Sequence, residues 1–346
     1  PPPRPYLPDS WLMLGEILSL NSISMSLKRR QMLRWLGFGG AVSLSACVQQ
    51  WANQAETDRS IAATPAPSQT TSAAPDGLLE RQGIVNPARG DVRIVVISDL
   101  NSQYGSTDYE PEVDRAIALI PGWQPDLVLC GGDMVAGQSA SLSRAEIQAM
   151  WDGFDRHISA PLRQANIPFG FTLGNHDASG AKASNGRFLF ANDRDLAAAY
   201  WNEPSHNSGL QFVDRARYPF YYSFQQNDVF FLVWDASTAQ IGTDQLSWVE
   251  RSLASSAAQS AKLRIAIGHL PLYAVAVGRA APGEYLENGD RLRGLLERYH
   301  VHTYISGHDH AYYPGHVGQL QMLHCGVLGS GIRSLLNGNS PLMKTV

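Results

Sequence analysis

The sequence predicts a layered α/β fold in which helices cover the faces of a sheet, and two observations lead to it. From Asp91 onward, short apolar runs rich in β-branched residues alternate with segments of helical spacing, and further strand-like runs follow. The first of these apolar runs is nearly continuous, which is typical of a strand buried on both faces. No internal repeat interrupts the alternation.

The first half of this region alternates strands with helices. Residues 92–98 (VRIVVIS), 126–131 (DLVLCG) and 169–173 are predicted strands, because they are short and apolar. Residues 112–120 have helical spacing. Residues 142–164 support a long helix that ends before Pro168, since proline cannot continue a helix.

The second half contains more strands. Residues 218–225 and 229–235 predict a hairpin whose turn is Asn227-Asp228, because these two residues separate two apolar runs. The other predicted strands are 263–268, 302–306 and 320–325, and the predicted helices are 245–255 and 290–299.

Length and composition limit the classes of protein to consider. The 346 residues allow one large domain or two small ones, and 44% hydrophobic with 17% charged residues can bury a substantial core. The net charge of −4, from 27 basic and 31 acidic residues, does not indicate the basic face that nucleic-acid binding requires, so a nuclease is disfavoured. Three cysteines are too few for a disulfide scaffold, and no apolar run approaches the ~20 residues of a membrane-spanning helix.

The first 90 residues are predicted to direct export rather than to fold. Residues 1–24 are interpreted as an upstream extension, because the first residue is Pro and Met25 offers a natural start. A short basic region and a 12-residue, mostly apolar stretch at 35–46 then predict a signal peptide over 25–47. Its paired arginines also resemble a twin-arginine export signal.

The end of this signal peptide, Leu44-Ser45-Ala46-Cys47, resembles the bacterial lipobox, in which the cysteine is lipidated. We therefore expect Cys47 to carry a lipid anchor and the exported protein to lie in the cell envelope, lipid-anchored or periplasmic. The alternative is that Cys47 is a buried thiol in an amphipathic helix. Residues 48–90, rich in Ala, Ser, Thr, Pro and Gln, predict a flexible linker to a domain at 91–346.

Polar side chains that can bind metals follow nearly every predicted strand. In chain order they lie in Asp99-Leu100-Asn101, Gly132-Asp133, Gly174-Asn175-His176-Asp177, Gly268-His269 and Gly307-His308-Asp309-His310. Because ligands collect beyond the carboxyl ends of strands in open α/β sheets, we expect these five loops to meet in one crevice. Each loop alone is a weak signal, since a Gly-Asp pair is usually only a turn.

The side-chain types of this set indicate the metals. Carboxylates, an amide oxygen and imidazoles together suit Mn, Fe, Zn or Ni better than Ca or a metal bound by thiolates. A histidine beside the site can transfer protons near neutral pH.

The five motifs in this order resemble those of the calcineurin-like metallophosphoesterase family. The resemblance covers the chain from about residue 92 to its end. It implies a four-layer α/β/β/α sandwich, a two-metal centre, and hydrolysis of phosphate monoesters or diesters. A small phosphate ester is the implied substrate.

The resemblance also implies a role for each motif residue. Asp133 would bridge the two metals. One metal would be bound by Asp99, Asn101 and His310, and the other by Asn175, His269 and His308. The implied catalytic residue is His176, which would contact the substrate phosphate or protonate the leaving group. Because Asp177 is adjacent, we expect it to act with His176 as a catalytic residue that orients the ring, unless it caps the following loop instead.

Asn101 departs from the pattern of the family, which usually has Asp-x-His at the first motif. An amide oxygen is a weaker donor than imidazole, so we expect this site to hold zinc less tightly. The purple acid phosphatase branch uses a Tyr three residues after the second-motif Asp, and this chain has Ala136 there. Tyr104 could substitute as a ligand, although a packing or substrate-stacking role is favoured.

Two hypotheses follow for the function. The first is an envelope-anchored, metal-dependent phosphohydrolase, in which monoesterase and diesterase activities cannot be separated from these motifs. The second is a non-catalytic envelope lipoprotein that keeps the sandwich as a binding scaffold, with Asn101 marking the decay of one metal site.

Cys130 and Cys325 lie in predicted strands and are expected to be buried free thiols rather than a disulfide.

Overall fold

The structure of the chain is a computed structural model that describes residues 88–329, 331–338 and 342–346. The predicted signal peptide at 25–47, its lipidation site Cys47 and nearly all of the predicted linker at 48–90 lie outside the described residues. Within those three ranges, no helix is both long and apolar enough to cross a membrane.

A three-stranded parallel sheet forms the first half of the fold, with strand order β1-β2-β3. Its strands are β1 (Ile94–Ile97), β2 (Leu127–Cys130) and β3 (Phe169–Phe171). The helices between them are α1 (Pro111–Trp123), α2 (Arg144–Phe154) and α3 (Ala160–Gln164). The three strands and both helical regions were predicted from the sequence, with ends that differ by at most three residues.

The predicted long helix at 142–164 is interrupted by a π-helical turn at Asp155–Ser159. It begins at Arg144, because Ser143 forms a capping box with Glu146. The Ser143 side chain accepts from the Glu146 N–H, and the Glu146 carboxylate accepts from the Ser143 N–H. The helix therefore has a capped start, and the chain stays helical through the π-helical turn into α3. This is why the sequence pattern predicts a single helix over 142–164.

A seven-stranded mixed sheet forms the second half, with strand order β4-β5-β6-β7-β8-β10-β9. Its strands are β4 (Gln211–Arg217), β5 (Tyr221–Gln226), β6 (Val229–Val233), β7 (Leu263–Ile267), β8 (Thr303–Ser306), β9 (Tyr312–Val317) and β10 (Leu320–Cys325). The predicted hairpin is confirmed, since β5 and β6 pair antiparallel through Asn227 and Asp228, both of which adopt positive φ.

Five further helices complete the described part of the fold. They are α4 (Asn175–Ala178), α5 (Ala191–Asn202), α6 (Thr243–Leu253), α7 (Ser256–Ser260) and α8 (Gly289–Arg298). The sequence predicted α6 and α8. It did not predict α4, α5 or α7, nor the edge strands β4 and β9.

The alternating side chains of β6 join two layers of core. Val229, Phe231 and Val233 belong to the core shared with the first sheet, whereas Phe230 and Leu232 belong to a core that includes residues of α6, α7 and α8. Successive side chains of a strand point to opposite faces of its sheet, so the second sheet is covered on both sides. The architecture is helix, sheet, sheet, helix, and it confirms the predicted four-layer α/β/β/α sandwich.

Aromatic side chains fill the core beside β3. The Trp201 ring stacks on Phe171 with 3.8 Å between centroids, and Tyr222 lies 5.7 Å from Phe171 on the other sheet. Cys130 and Cys325 are buried, free thiols, as expected from the sequence. The two sheets therefore form one packed body, which fixes the loops that follow their strands.

Candidate metal centre

The loops that follow five strands are joined by main-chain hydrogen bonds. The N–H of Asp99, after β1, donates to the carbonyl of Gly132, after β2, at 2.9 Å. The N–H of Gly307, after β8, donates to the carbonyl of His269, after β7, at 3.1 Å. The N–H of Gly137, after β2, donates to the carbonyl of His176, after β3, at 3.1 Å, and the N–H of His308 donates to the Asp99 carboxylate at 3.2 Å. These bonds link all five loops, so the predicted convergence of loops from distant parts of the chain is confirmed.

Two carboxylates and one imidazole form the first half of the candidate centre. Asp99, Asp133 and His310 each offer one ligand atom, and these atoms lie within 4.8 Å of one another. Nε2 of His310 lies 3.2 Å from Oδ1 of Asp99. The other oxygen of Asp99 accepts a hydrogen bond from the Ser98 hydroxyl at 2.5 Å, which fixes the carboxylate. We call these three side chains the carboxylate half.

An amide and two imidazoles form the second half. Oδ1 of Asn175 lies 3.0 Å from Nε2 of His269 and 3.0 Å from Nδ1 of His308, and the two ring nitrogens are 3.3 Å apart. Oδ2 of Asp133 lies 3.3 Å from Nε2 of His269. We call Asn175, His269 and His308 the neutral half, and Asp133 is the member of the carboxylate half that contacts it.

Each histidine ring of the centre has one nitrogen that faces the cluster and one that faces away from it. The hydrogen bond of the outer nitrogen determines whether the inner nitrogen presents a lone pair. Nδ1 of His269 lies 2.8 Å from the carbonyl of Gly131, and Nδ1 of His310 lies 2.8 Å from the carbonyl of Gly331. A carbonyl only accepts, so both Nδ1 atoms carry protons and the neutral rings present Nε2 as a lone pair. His308 is reversed, because its Nε2 donates to Glu284 at 3.0 Å and its Nδ1 faces the cluster.

The atoms that meet in this centre are therefore acceptors. Carboxylate oxygens, an amide oxygen and imidazole lone pairs oppose one another at 3.0–3.3 Å, an arrangement that is unfavourable without protons or cations between them. This set of oxygen and nitrogen donors fits Mn, Fe, Zn or Ni, with no thiolate among the six side chains. The residues present thus fit a metal centre.

Burial and neighbouring charges decide the protonation states. Burial opposes ionisation of Asp133, but the imidazoles of His269 and His176 hold its pKa well below its usual range. Burial also disfavours charge on His269, yet Asp133 raises the pKa of His269 to about 9. Burial lowers the pKa of His308 to about 4. Without a metal, a proton on His269 thus screens Asp133, and metal binding would displace that proton.

Four of the six clustered side chains extend from strained backbone. Asp99, Asp133, His308 and His310 have φ values of 52°, 54°, 66° and 53°, in the left-handed region that non-glycine residues rarely adopt. Each such residue costs of order 1–3 kcal/mol, and such strain concentrates at functional sites. At Gly174 a side chain would collide with the Asp133 carboxylate, so glycine is required for this close approach.

His176 lies beside the cluster and contacts Asp133 through its main chain. Its N–H donates to Oδ1 of Asp133 at 2.9 Å. Its ring Nδ1 lies 3.1 Å from the carbonyl of Gly137, so Nε2 is the nitrogen left for proton transfer. The ring centroid of Tyr104 lies 5.2 Å from that of His176, in keeping with the favoured packing or stacking role of this tyrosine.

The predicted contact between Asp177 and the His176 ring is not found among the described residues. The Asp177 carboxylate is buried and accepts from the N–H groups of Met134, Val135 and Gly174 at 2.7, 2.9 and 2.8 Å. The interpretation of Asp177 as the residue that orients His176 is therefore wrong. Its carboxylate instead ties the loop after Asp133 to Gly174, so these hydrogen bonds do not correspond to the alternative in which Asp177 caps the loop that follows it.

Asn101 is held near the carboxylate half by its main chain. Its N–H donates to the carbonyl of Asp133 at 3.1 Å, and the residue is 8% exposed. Its amide as a metal ligand stays a prediction. Ala136, at the position where purple acid phosphatases have a tyrosine, is buried.

Sequence reasoning missed two residues that support the ligands, Gln138 and Glu284, and the buried contact of Asp309 beside them. Oε1 of Gln138 accepts from the Asn175 amide at 2.7 Å, so Oδ1 of Asn175 turns toward the cluster. Glu284 accepts from His308. Asp309 accepts from His324 at 2.9 Å. Of these three residues, only Asp309 could have been noticed in the sequence, because it lies inside the Gly-His-Asp-His motif.

The neutral half opens into a cleft of about 850 Å³. Asn175, His176 and His308 line this cleft, together with the cationic side chains of Lys182 and Arg279 and the carboxylates of Glu284 and Glu287. The cleft can admit a small molecule, and its cations can attract an anion. An anionic ligand that enters it reaches the candidate metal centre.

Comparison with known proteins supports the same family. The sequence model of the calcineurin-like phosphoesterase family matches residues 92–312. No curated protein sequence matches the chain significantly. Among solved structures, a purple acid phosphatase from yellow lupin (Lupinus luteus) is similar, with a TM-score of 0.51 and 20% identity over 72% of this chain and 46% of that one.

A second structure is more distant. A putative 5'-nucleotidase from Staphylococcus aureus has a TM-score of 0.41 and 15% identity, over 68% of this chain and 48% of that one. The chain thus spans about half the length of either protein. At this identity the likeness to the lupin enzyme shows a shared fold.

Proposed function

Because the chain belongs to the calcineurin-like phosphoesterase family, we propose that it is a hydrolase that cleaves small phosphate esters with a pair of metal ions. The observation that carries this proposal is the meeting of Asp133 with five other acceptor side chains, from five loops in all. Such a cluster is unfavourable unless protons or cations separate its acceptors, and a pair of bound cations would supply the chemistry of phosphoester hydrolysis.

The proposed roles follow the two halves of the centre. Asp99 and His310 would hold one ion, with Asn101 as a further ligand. Asn175, His269 and His308 would hold the other. Asp133 would contact both, and its negative charge would offset the repulsion between two cations. When bound, the ions supply an activated water nucleophile and neutralise phosphoryl oxygens.

His176 would take part in the proton transfer of the reaction. Its Nδ1 is occupied by the Gly137 carbonyl, so Nε2 would contact the substrate phosphate or protonate the leaving oxygen. Asp177 would act only as a positioning residue, since it holds the two loops from which Asp133 and Asn175 extend. Tyr104, exposed at the side of His176, would stack on an organic leaving group.

The substrate would bind in the cleft. Lys182 would attract the anionic ester, while Arg279 is paired with Glu284, and the volume of about 850 Å³ fits a small molecule. The export signal and lipidation of Cys47 predicted from the sequence would bring this activity to the cell envelope.

The proposal is tested with the full chain, stripped of metal by a chelator and then supplied with Mn²⁺, Fe²⁺, Zn²⁺ or Ni²⁺. We expect hydrolysis of 4-nitrophenyl phosphate, bis(4-nitrophenyl) phosphate or both, and no hydrolysis before metal is added. The Asp133→Asn variant, treated in the same way, controls for contaminating phosphatases. A folded, metal-loaded chain that leaves every ester of the panel intact would overturn the proposal and favour the binding-scaffold hypothesis.

A further inference from the structure

Glu284 contacts the candidate metal centre from a segment that carries none of the five motifs. Its Oε2 lies 3.0 Å from Nε2 of His308 and 2.6 Å from Nη1 of Arg279. The side chains of Arg279 and Glu284 are 14% and 35% exposed, and that of His308 is 7% exposed. Arg279, Glu284 and His308 thus form a continuous chain of contacts that ends at the lone pairs of the neutral half.

The contact with Glu284 determines how His308 faces the cluster. A carboxylate only accepts hydrogen bonds, so Nε2 of His308 carries the proton and Nδ1 is left as a lone pair. That lone pair faces Oδ1 of Asn175 and Nε2 of His269. The opposite tautomer would direct an N–H toward the place where a cation would bind.

The support of His308 differs from that of the other two imidazoles. The rings of His269 and His310 are held by main-chain carbonyls, which any sequence would supply. His308 is held by a side chain, the Glu284 carboxylate, which also contacts Nη1 of Arg279 at 2.6 Å. A carboxylate partner raises the donor strength of an imidazole more than a neutral carbonyl does.

The segment that carries Glu284 is attached to the motif loops on both sides. The Val275 N–H donates to Oδ2 of Asp309, next to His308, at 3.1 Å. The Leu286 N–H donates to the carbonyl of Pro271, two residues after His269, at 2.8 Å. Glu284 therefore has a fixed position relative to the loops that carry the ligands.

We propose that Glu284 is a positioning residue for the metal ion of the neutral half, where it selects the tautomer of His308 and strengthens this ligand while Arg279 holds the carboxylate in place. The inference rests on the proposed function, since it requires that the chain binds metal. It adds a specific claim, which is that one of the two ions depends on a side chain outside the motifs.

The test measures metal affinity rather than activity. Metal-free full-length chain is titrated with Mn²⁺, and the free ion is followed by its electron paramagnetic resonance signal. We expect Glu284→Ala to weaken one of the two Mn²⁺ equivalents by about 10–100-fold and to leave the other unchanged. Glu284→Gln keeps an acceptor oxygen for Nε2 of His308, so it should restore part of the lost affinity.

Glu287→Gln is the matched control. It removes a carboxylate three positions away, in the same segment, whose oxygens contact Gln240 at 3.2 Å instead of His308. Two Mn²⁺ equivalents of wild-type affinity in Glu284→Ala would overturn the inference and leave the proposed function intact, as would an equal loss in Glu287→Gln. A wild-type chain that binds no Mn²⁺ would overturn both.

Discussion

The carboxylate half and the neutral half of the candidate centre are supported in different ways. In the carboxylate half, Asp99 accepts from the N–H of His308 and from the Ser98 hydroxyl, and His310 donates to a main-chain carbonyl. In the neutral half, Asn175 and His308 are oriented by the side chains of Gln138 and Glu284. The carboxylate half therefore depends mainly on main-chain groups that the fold holds in place. In the neutral half, two of the ligands depend on the side chains of individual residues.

This difference also concerns charge. The carboxylate half contributes two anionic side chains, so Coulomb attraction to a cation does not require finely oriented donors. The neutral half offers dipoles and lone pairs, whose attraction to a cation depends on direction. We therefore expect substitutions around the neutral half to release one ion, whereas loss of the shared Asp133 affects both.

The largest effect is expected for Asp133→Asn, which removes the carboxylate through which the carboxylate half contacts the neutral half. Asn keeps the shape but loses the charge that would offset the repulsion of two cations. We expect phosphoester turnover to fall by more than about a thousandfold, equivalent to ~4 kcal/mol of activation free energy, and metal content to fall with it. Steady-state kinetics and elemental analysis check this, and a variant with wild-type rates would show that Asp133 is not shared.

His176→Ala is expected to have the next largest effect, and it separates chemistry from metal binding. His176 belongs to neither half, and removal of a proton-transfer group lowers rates by about 100-fold to 10,000-fold. We expect slower turnover with both ions retained, measured as kcat beside the metal content of the same sample. Loss of metal in this variant would mean that His176 is a ligand.

Gln138→Ala tests the neutral half alone. Without the Gln138 oxygen, the Asn175 amide can rotate and turn its N–H₂ group toward the cation. We expect one ion to bind about tenfold more weakly and the other to be unaffected, as measured by Mn²⁺ titration. Gln148→Ala, an exposed glutamine that contacts Asp152, is the control. Equal weakening of both ions would show that the two halves are not independent.

Asn101→His is expected to give the smallest change, confined to the carboxylate half. An imidazole binds zinc more strongly than an amide oxygen, so Zn²⁺ retention in this half should rise by about tenfold, or ~1.4 kcal/mol of binding free energy. Dialysis against a chelator, followed by zinc analysis, checks this. Unchanged retention would show that residue 101 is not a ligand.

The sequence predicted the parts of the site that follow strands. Short apolar runs place Asp99, Asp133 and His269 directly after buried strands, and the carboxyl ends of such strands meet by the geometry of the fold. The same reasoning predicted β6 and β7. The local pattern of apolar residues and the general topology of α/β sheets were therefore sufficient to predict these positions.

The supporting residues could not be predicted, because their partners are distant in the chain. Gln138 and Asn175 are separated by 37 positions, and Glu284 and His308 by 24. Asp177 was misassigned for the same reason, since its contacts with Met134 and Val135 depend on how two loops pack.

The missed elements have local causes. Strand β9 contains Pro314 and Gly315, which weaken a strand pattern and are tolerated because β9 lies at the sheet edge. Helix α5 begins after Phe190, which provides no side-chain cap, and so lacks a start signal. Its position is set by packing, as the stacking of Trp201 on Phe171 shows.

The central claim is that six acceptor side chains from five loops enclose two cations, and the metal content of the full chain tests it most directly. The chain is loaded with Mn²⁺, desalted, and analysed for metal and protein in the same sample. We predict two ions per chain in the wild type and fewer than two in Asp133→Asn. A folded wild-type chain that retains one ion or none would contradict the claim.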